Sequence, residues 1–381
     1  MKKWFCKLKN KIKEYVPTAA RVLFCIALFA LIVHVLCIFI PPFADFFNFR
    51  IAGVVRLVLA KITGVVPFSI SELVVLLVLP AIVFILVFTF RESKKGNDRK
   101  LIRFLSGAFA VLSLFYTLFV FTLGTGYHGT SLSDKLDLER KELTTDELIE
   151  VTEWLVSKVN EYVPKVDFIH DSSSVMPYSF KEMNEKLCEA YASATKDYDF
   201  IMGYSSVIKP VMASKFLSKA GLLGMYSYYT GESNVNVDYM NYNLVFTCAH
   251  EMSHQRGISK EDEANFMAFL VCMESDDPYI NYCGYLNMFE YMRNPLYEAL
   301  IKENRASYYT RVRDKLDERA RNDVNISDKK TVDNQGTIST IYNAINDTFI
   351  KTQLDERGSA SYGFVIELTA AYYYKYVKPA A

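Results

Sequence analysis

Three stretches of this chain are apolar from end to end, and they set its layout. Residues 22–40, 70–90 and 104–123 are each long enough to cross a bilayer as a helix, and charge is confined to their edges. Pro41-Pro42-Phe43 follows the first run in place of a small-residue cleavage site, which predicts a retained anchor rather than a removed signal peptide. Between the first two runs, residues 43–68 intersperse Arg50, Arg56 and Lys61 among apolar positions, the pattern of an amphipathic helix lying in the membrane interface. The flanks differ in charge. Residues 1–21 carry Lys2, Lys3, Lys7, Lys9, Lys11, Lys13 and Arg21 against Glu14, and 91–103 carry Arg91, Lys94, Lys95, Arg99, Lys100 and Arg103. Basic flanks stay in the cytoplasm, so three spans would leave everything after Gly124 outside the cell. The expected division is a multi-pass region over 1–123 and an extracytoplasmic domain over 124–381.

From Thr144 onward the pattern becomes that of a globular domain. Periodicity predicts helices over 145–163 and 180–198, a short strand or turn over 208–217, and a hairpin or edge strand over 221–237, where Tyr, Val and Asn alternate between glycines. Residues 170–174, beginning at His170, are polar and turn-like. An apolar run from Asn243 to Ala249 opens a buried helix that Gly257 stops. Helices are then expected over 261–275, 279–292, 294–322, 337–352 and 361–377, with 323–336 as a polar loop. The fold class is mainly α: three N-terminal transmembrane helices, then a mostly helical domain with a small sheet edge.

Composition narrows this picture little. Hydrophobic residues make up 51% of the chain, and the excess lies in its first third. The net charge of zero gives no electrostatic basis for nucleic-acid binding. Seven cysteines lie without metal-ligand or redox spacing and are expected to be apolar fillers.

The chemistry concentrates in His250-Glu251-x-x-His254. On a helix, positions i and i+4 share a face, so both imidazoles can reach one ion. Glu251 is then placed as a general base beside it. A catalytic zinc normally takes three protein ligands. His34 lies within one membrane run and His128 just beyond another, and Lys260 occupies the position where a third His would complete a longer His motif. The next helix offers Glu261 and Glu263. Glu261 shares its face with Ala264, Asn265 and Ala268, whose small size permits close approach to the His helix. Glu261 is the expected third ligand, with Glu263 the alternative. Ser259 and Asp262 are the expected cap and capping-box partner of that helix.

His250-Glu-x-x-His254-Gln-x-Gly257, running into Glu261-Asp-Glu-Ala-Asn-Phe266, resembles a bacterial family of membrane-anchored proteins, domain of unknown function 3810, whose members resemble gluzincin-type zinc metallopeptidases. Tyr229-Thr-Gly-Glu-Ser-Asn-Val-Asn236 and Ser361-Tyr-Gly-Phe-Val-Ile-Glu-Leu368 extend the resemblance over most of the chain. The Glu-x-x-Ala-Asn segment is similar to a Glu-x-x-Ala-Asp segment of CAAX-protease-like metallopeptidases, in which the first Glu binds zinc. That resemblance also selects Glu261, implies an orienting role for Asn265, where Asp is usual, and places Glu232 and Asn234 as substrate contacts. It implies a zincin-like domain in which a sheet edge borders the cleft.

Together these expectations describe a zinc metallopeptidase anchored in the cell membrane, hydrolysing peptide bonds of a protein or a cell-wall peptide on the extracytoplasmic side, with Glu251 as general base. The competing class is a catalytically inactive zinc-binding or sensing protein, or one that only binds cell-wall peptide. An intact Glu251 weighs against it, because holding zinc does not require a general base beside the ligands.

Overall fold

The structure, a computed structural model, describes residues 11–169 and 173–380. His170 and the lysines at 2, 3, 7 and 9 lie outside the described residues. Among the described residues, three helices are long and apolar enough to cross a membrane: α1 (Thr18–Phe39), α4 (Ile70–Lys94) and α5 (Asp98–Thr122). The side chains of Ser69 and Asn97 cap α4 and α5, each accepting a backbone N–H three residues on. Pro80 sits inside α4, where the bilayer disfavours exposing the backbone and the helix continues through it.

The segment between the first two spans forms α2 (Pro41–Phe46), a π-helical stretch over Phe47–Ala52 and α3 (Gly53–Gly64). Its charges do not all face water, as an interfacial helix would have them. Arg56 is 1% exposed. Its guanidinium donates to Asn48 Oδ1 (2.8 Å), Asn48 O (2.7 Å) and Thr122 O at the end of α5 (3.0 Å). A buried guanidinium needs such partners, and three carbonyl oxygens supply them.

After a one-turn α6 (Leu132–Lys135), α7 (Thr145–Tyr162) and α8 (Phe180–Ala194) both start with complete capping boxes, from Thr144 with Glu147 and Ser179 with Glu182. A two-residue hairpin, β1 (Phe168–Ile169) with β2 (Ser173–Ser174), lies between them. The 208–217 stretch divides into strand β3 (Lys209–Pro210) and helix α9 (Ser214–Ala220). The expected hairpin is β4 (Gly224–Ser227) and β5 (Glu232–Val235), and the sheet runs β3-β5-β4. β4 is therefore an edge strand.

The domain core is built by α10 (Asn241–Gln255), α11 (Glu261–Met273) and α12 (Pro278–Lys302). Every side chain of α10 from Tyr242 to Gln255 is buried. α12 is one helix through Pro295 rather than the two expected, because Leu296 and Leu300 continue its buried face beyond the proline. α13 (Ala306–Asp314) precedes α14 (Glu318–Asn334), which occupies most of the expected 323–336 loop. Asp317 caps α14, and Ala320, Asp323, Val324 and Ser327 give it a narrow buried stripe that its polar composition conceals. α15 (Thr337–Thr352) and α16 (Val365–Tyr372) close the chain.

Candidate metal centre and cleft

α10 and α11 meet at their polar ends. His250 and His254 present Nε2 atoms 3.0 Å apart, and Glu261 Oε2 lies 3.2 Å and 3.3 Å from them. All three residues are at most 9% exposed. Among the described residues, these are the only three His, Cys, Asp or Glu side chains grouped closely enough to hold one ion.

The surroundings decide which end of each ring faces the cluster. His254 Nδ1 is 2.7 Å from the Ile258 carbonyl, which only accepts, so Nδ1 carries the hydrogen. His250 Nδ1 is 2.7 Å from Asn265 Oδ1, and the Asn265 amide is oriented by donating Nδ2–H to Tyr362 O (3.4 Å). In their neutral forms both rings therefore aim an Nε2 lone pair at the same point, and Glu261 adds a carboxylate oxygen. That oxygen is buried without a donor in hydrogen-bond geometry. Three electron-rich atoms this close, in a buried site, call for a cation. Zinc with bonds of about 2.0–2.2 Å would hold tetrahedral ligand atoms roughly 3.3–3.6 Å apart. The observed spacing is on that scale and slightly tighter. Without a metal, a proton supplies the positive charge. Burial lowers the affinity of His254 for it, but the Glu261 carboxylate outweighs burial and holds the imidazole up to about 9. Burial likewise opposes ionisation of Glu261, yet His254 and His250 hold it well below the usual carboxylate range.

Glu251 points beside the cluster. Burial pushes its carboxyl up to about 7, against the pull of His250 and His254, and its Oε2 has no hydrogen-bond partner. Gly224 on β4 makes room for it, since a Cβ there would stand 2.6 Å from Glu251 Oε1. His250 and Glu251 open on a cavity of about 600 Å³. His250, Glu251, Asn265 and residues 221–224 form one side of it, and Tyr342, Asn343, Asn346 and Asp347 of α15 form another.

The other sequence-selected residues lie elsewhere. Glu263 accepts the Leu132 N–H (3.0 Å) and faces Lys260 (3.6 Å), so it braces α6 rather than joining the triad. Glu232 accepts the Ile70 and Ser71 N–H groups at the start of α4 (3.1 and 2.8 Å) and pairs with Lys209 (2.8 Å), both side chains 1% exposed. Asn234 donates to Ser227 Oγ at 3.1 Å. Neither Glu232 nor Asn234 lines the cavity. The expected cap of α11 is replaced: Lys260 takes the cap position, and Ser259 Oγ instead donates to Leu123 O (2.7 Å), tying this turn to the end of α5. Asp262 is buried between Arg140 and Arg357, each at 2.8 Å.

Sequence reasoning did not find the α15 wall. Its helix was legible, and Tyr342 with Asn346 at i and i+4 was the available signal, but nothing local distinguishes that face from an ordinary polar one. Tyr362, one of several tyrosines left unassigned from sequence, stands beside His250 with ring centroids 6.3 Å apart.

The fold and site define a membrane-inserting, mainly helical protein with a buried two-histidine, one-carboxylate cluster beside a cleft. The chain belongs to the family described as Protein of unknown function (DUF3810), whose model matches residues 47–370. No curated protein and no solved structure is detectably similar to it.

Proposed function

We propose that this protein is a membrane-anchored zinc metallopeptidase that hydrolyses peptide bonds on the extracytoplasmic side. One observation carries the reading: the His250–His254–Glu261 cluster lies beside a buried Glu251, whose Oε2 has no hydrogen-bond partner, at the wall of a cleft next to an edge strand. His250, His254 and Glu261 would hold the ion. Bound zinc supplies a Lewis acid that polarises a substrate carbonyl and acidifies water near neutral pH. Glu251 takes a proton from the attacking water and returns it to the leaving amine, a task suited to a carboxyl whose pKa is pushed up to about 7. The free edge of β4 offers backbone groups to an extended peptide. A binding-only role leaves Glu251 unexplained, because a buried carboxyl oxygen without a donor, here Oε2, is costly to keep.

The test is Glu251→Gln in the full chain. The amide keeps shape but cannot accept the proton, so zinc content should match wild type while cleavage of a peptide library disappears. Turnover at the wild-type rate would refute the assignment. The orientation rests on the two basic flanks, residues 1–21 and 91–103, and has its own test. A reporter active only outside the cytoplasm should work when fused after Gly126 and fail near Gly96; the reverse pattern would place the site inside the cell.

A further inference from the structure

Helix α15 has two unlike faces. One carries Tyr342, Asn343, Asn346 and Asp347 into the cleft wall. The other exposes Ile338 (40%), Ile341 (56%), Ile345 (64%) and Phe349 (37%), which recur at helical spacing as one stripe. Thr337, Thr340, Ala344, Thr348 and Thr352 are exposed beside it and uncharged; Lys351 is exposed as well. Its only charges, Asp347 and Lys351, pair with each other at 2.7 Å. A stripe of this kind on a water-facing helix would be an unpartnered apolar surface.

Two independent tethers fix where that stripe lies. At its C-terminal end, Phe349 packs edge-on against Phe119 of α5 at 6.3 Å between ring centroids. Phe119 precedes the end of α5 at Thr122 by about 4–5 Å of helix rise, inside the apolar part of that span. At the other end, Ser339 lies against Gly221, which terminates α9. The start of α9 is pinned in turn to the first turn of α4, where Glu72 accepts the Met212 and Ala213 N–H groups (3.0 and 2.8 Å). The start of α4 and the end of α5 are on the same side of the bilayer, because consecutive spans run in opposite directions. α15 is therefore tied at its C-terminal end to the end of α5 and at its N-terminal end, through the seven residues of α9, to the start of α4 on the same side. The β4–β5 turn reaches the same level and deeper: Tyr228 packs on Phe119 (5.5 Å) and Tyr229 on Phe115 (5.4 Å). Phe115 is about 10 Å of helix rise below Thr122.

From this placement we infer that α15 lies in the bilayer interface with Ile338, Ile341, Ile345 and Phe349 among the lipid chains, so that the cleft behind it takes extended peptide segments held at the membrane surface. The occupant of the stripe is the bilayer itself, because the stripe starts at Phe349, which packs on α5 inside its apolar part, and carries no unpaired charge that would resist burial there. The second half of the inference, the membrane-held substrate, rests on the proposed peptidase activity; the first half does not.

The test uses the full chain in lipid nanodiscs with brominated acyl chains. Ile345→Trp adds an indole to the stripe, and Glu298→Trp on α12 serves as the exposed control. The difference emission from Ile345→Trp over the parent protein should be quenched at least about twofold by bromine near the interface, whereas Glu298→Trp stays unquenched. An unquenched Ile345→Trp overturns the lipid contact, whether water or another protein surrounds it. For the substrate, the Ile341→Glu, Ile345→Glu pair should slow cleavage of a lipid-tethered peptide about tenfold, yet spare the same peptide in soluble form and leave zinc content unchanged. Equal loss on both peptides overturns the membrane-held substrate. Quenching together with no cleavage of either peptide by the wild type would refute the peptidase reading and leave the lipid contact standing.

Discussion

Asn265 offers the sharpest test of the metal centre, because it touches a ligand and not the ion. Its Oδ1 accepts the His250 Nδ1–H at 2.7 Å in a site where Asn265 is 2% exposed. Asn265→Ala leaves that N–H without its acceptor, and stranding a buried donor costs about 1–3 kcal/mol. The ring escapes the cost by moving the hydrogen to Nε2, which removes the lone pair that faces His254 and Glu261. Metal binding must then force the tautomer back. Zinc affinity should therefore fall roughly tenfold to a hundredfold, the usual effect of losing a partner of a ligating His and equivalent to about 1.4–2.7 kcal/mol. Alanine suits the helix and already occupies 264 and 268, so α11 should remain folded. Asn265→Asp restores an acceptor with more charge and should bind zinc at least as tightly as wild type. Competition against a chromophoric chelator, on the full chain in detergent, measures all three proteins. Wild-type affinity in Asn265→Ala, or binding by Asn265→Asp as weak as by the alanine variant, would refute the tautomer argument.

Other outcomes follow from the same geometry. Glu261→Ala should lose stoichiometric zinc under mild chelation, whereas Glu263→Ala should keep it and lower the melting temperature, since the Leu132 N–H loses its acceptor at a cost of about 1–3 kcal/mol; metal analysis beside thermal unfolding separates them. Arg56→Leu strands the carbonyls of Asn48 and Thr122 and should reduce both stability and zinc retention, although Arg56 touches no ligand; full zinc retention after chelation would show the contact to be structural only. Burial pushes the Glu290 carboxyl up to about 7 in spite of Arg293. Its folded-state pKa lies above the unfolded value of about 4.3, so its contribution is fully present below that value and is lost as pH rises through about 7. Wild type should lose melting temperature relative to Glu290→Gln between about pH 5 and 7.5, and parallel profiles would contradict this.

What the sequence disclosed depended on how local the signal was. The spans, the α10–α11 pair and the β4–β5 hairpin were legible because composition or period repeats over many residues. The choice of Glu261 over Glu263 was legible too, since helical facing is a local property, and the triad forms with Glu261. Long-range partners were not. Nothing near Ser259 indicates that its hydroxyl is used by Leu123 instead of α11, and nothing near Glu232 indicates that it caps the start of α4. Pro295 and the polar 323–336 stretch misled for a related reason: tertiary burial of a few positions kept α12 and α14 helical against their local pattern.

The division expected at residue 123 runs through the contacts that hold the candidate metal ligands. His254 is oriented by Ile258 O, in the turn between α10 and α11. Gly257 in that turn has φ +100°, and a side chain there would run into the Arg56 guanidinium. The Gly257 carbonyl accepts Asn48 Nδ2–H at 2.8 Å, and Ser259 ties the next residues to Leu123. Asn48 and Arg56 belong to the stretch before the second span, and Leu123 ends the third. A turn that joins the two clustered helices and is gripped by both of these segments is positioned by the membrane region as much as by its own domain. The family match over residues 47–370 takes in Asn48, Arg56 and Leu123 together with the three clustered side chains. It also gives the anchor a role beyond tethering: detaching the domain at Gly124 would remove Asn48, Arg56 and Leu123 together, and with them the restraints that aim His254 at Glu261.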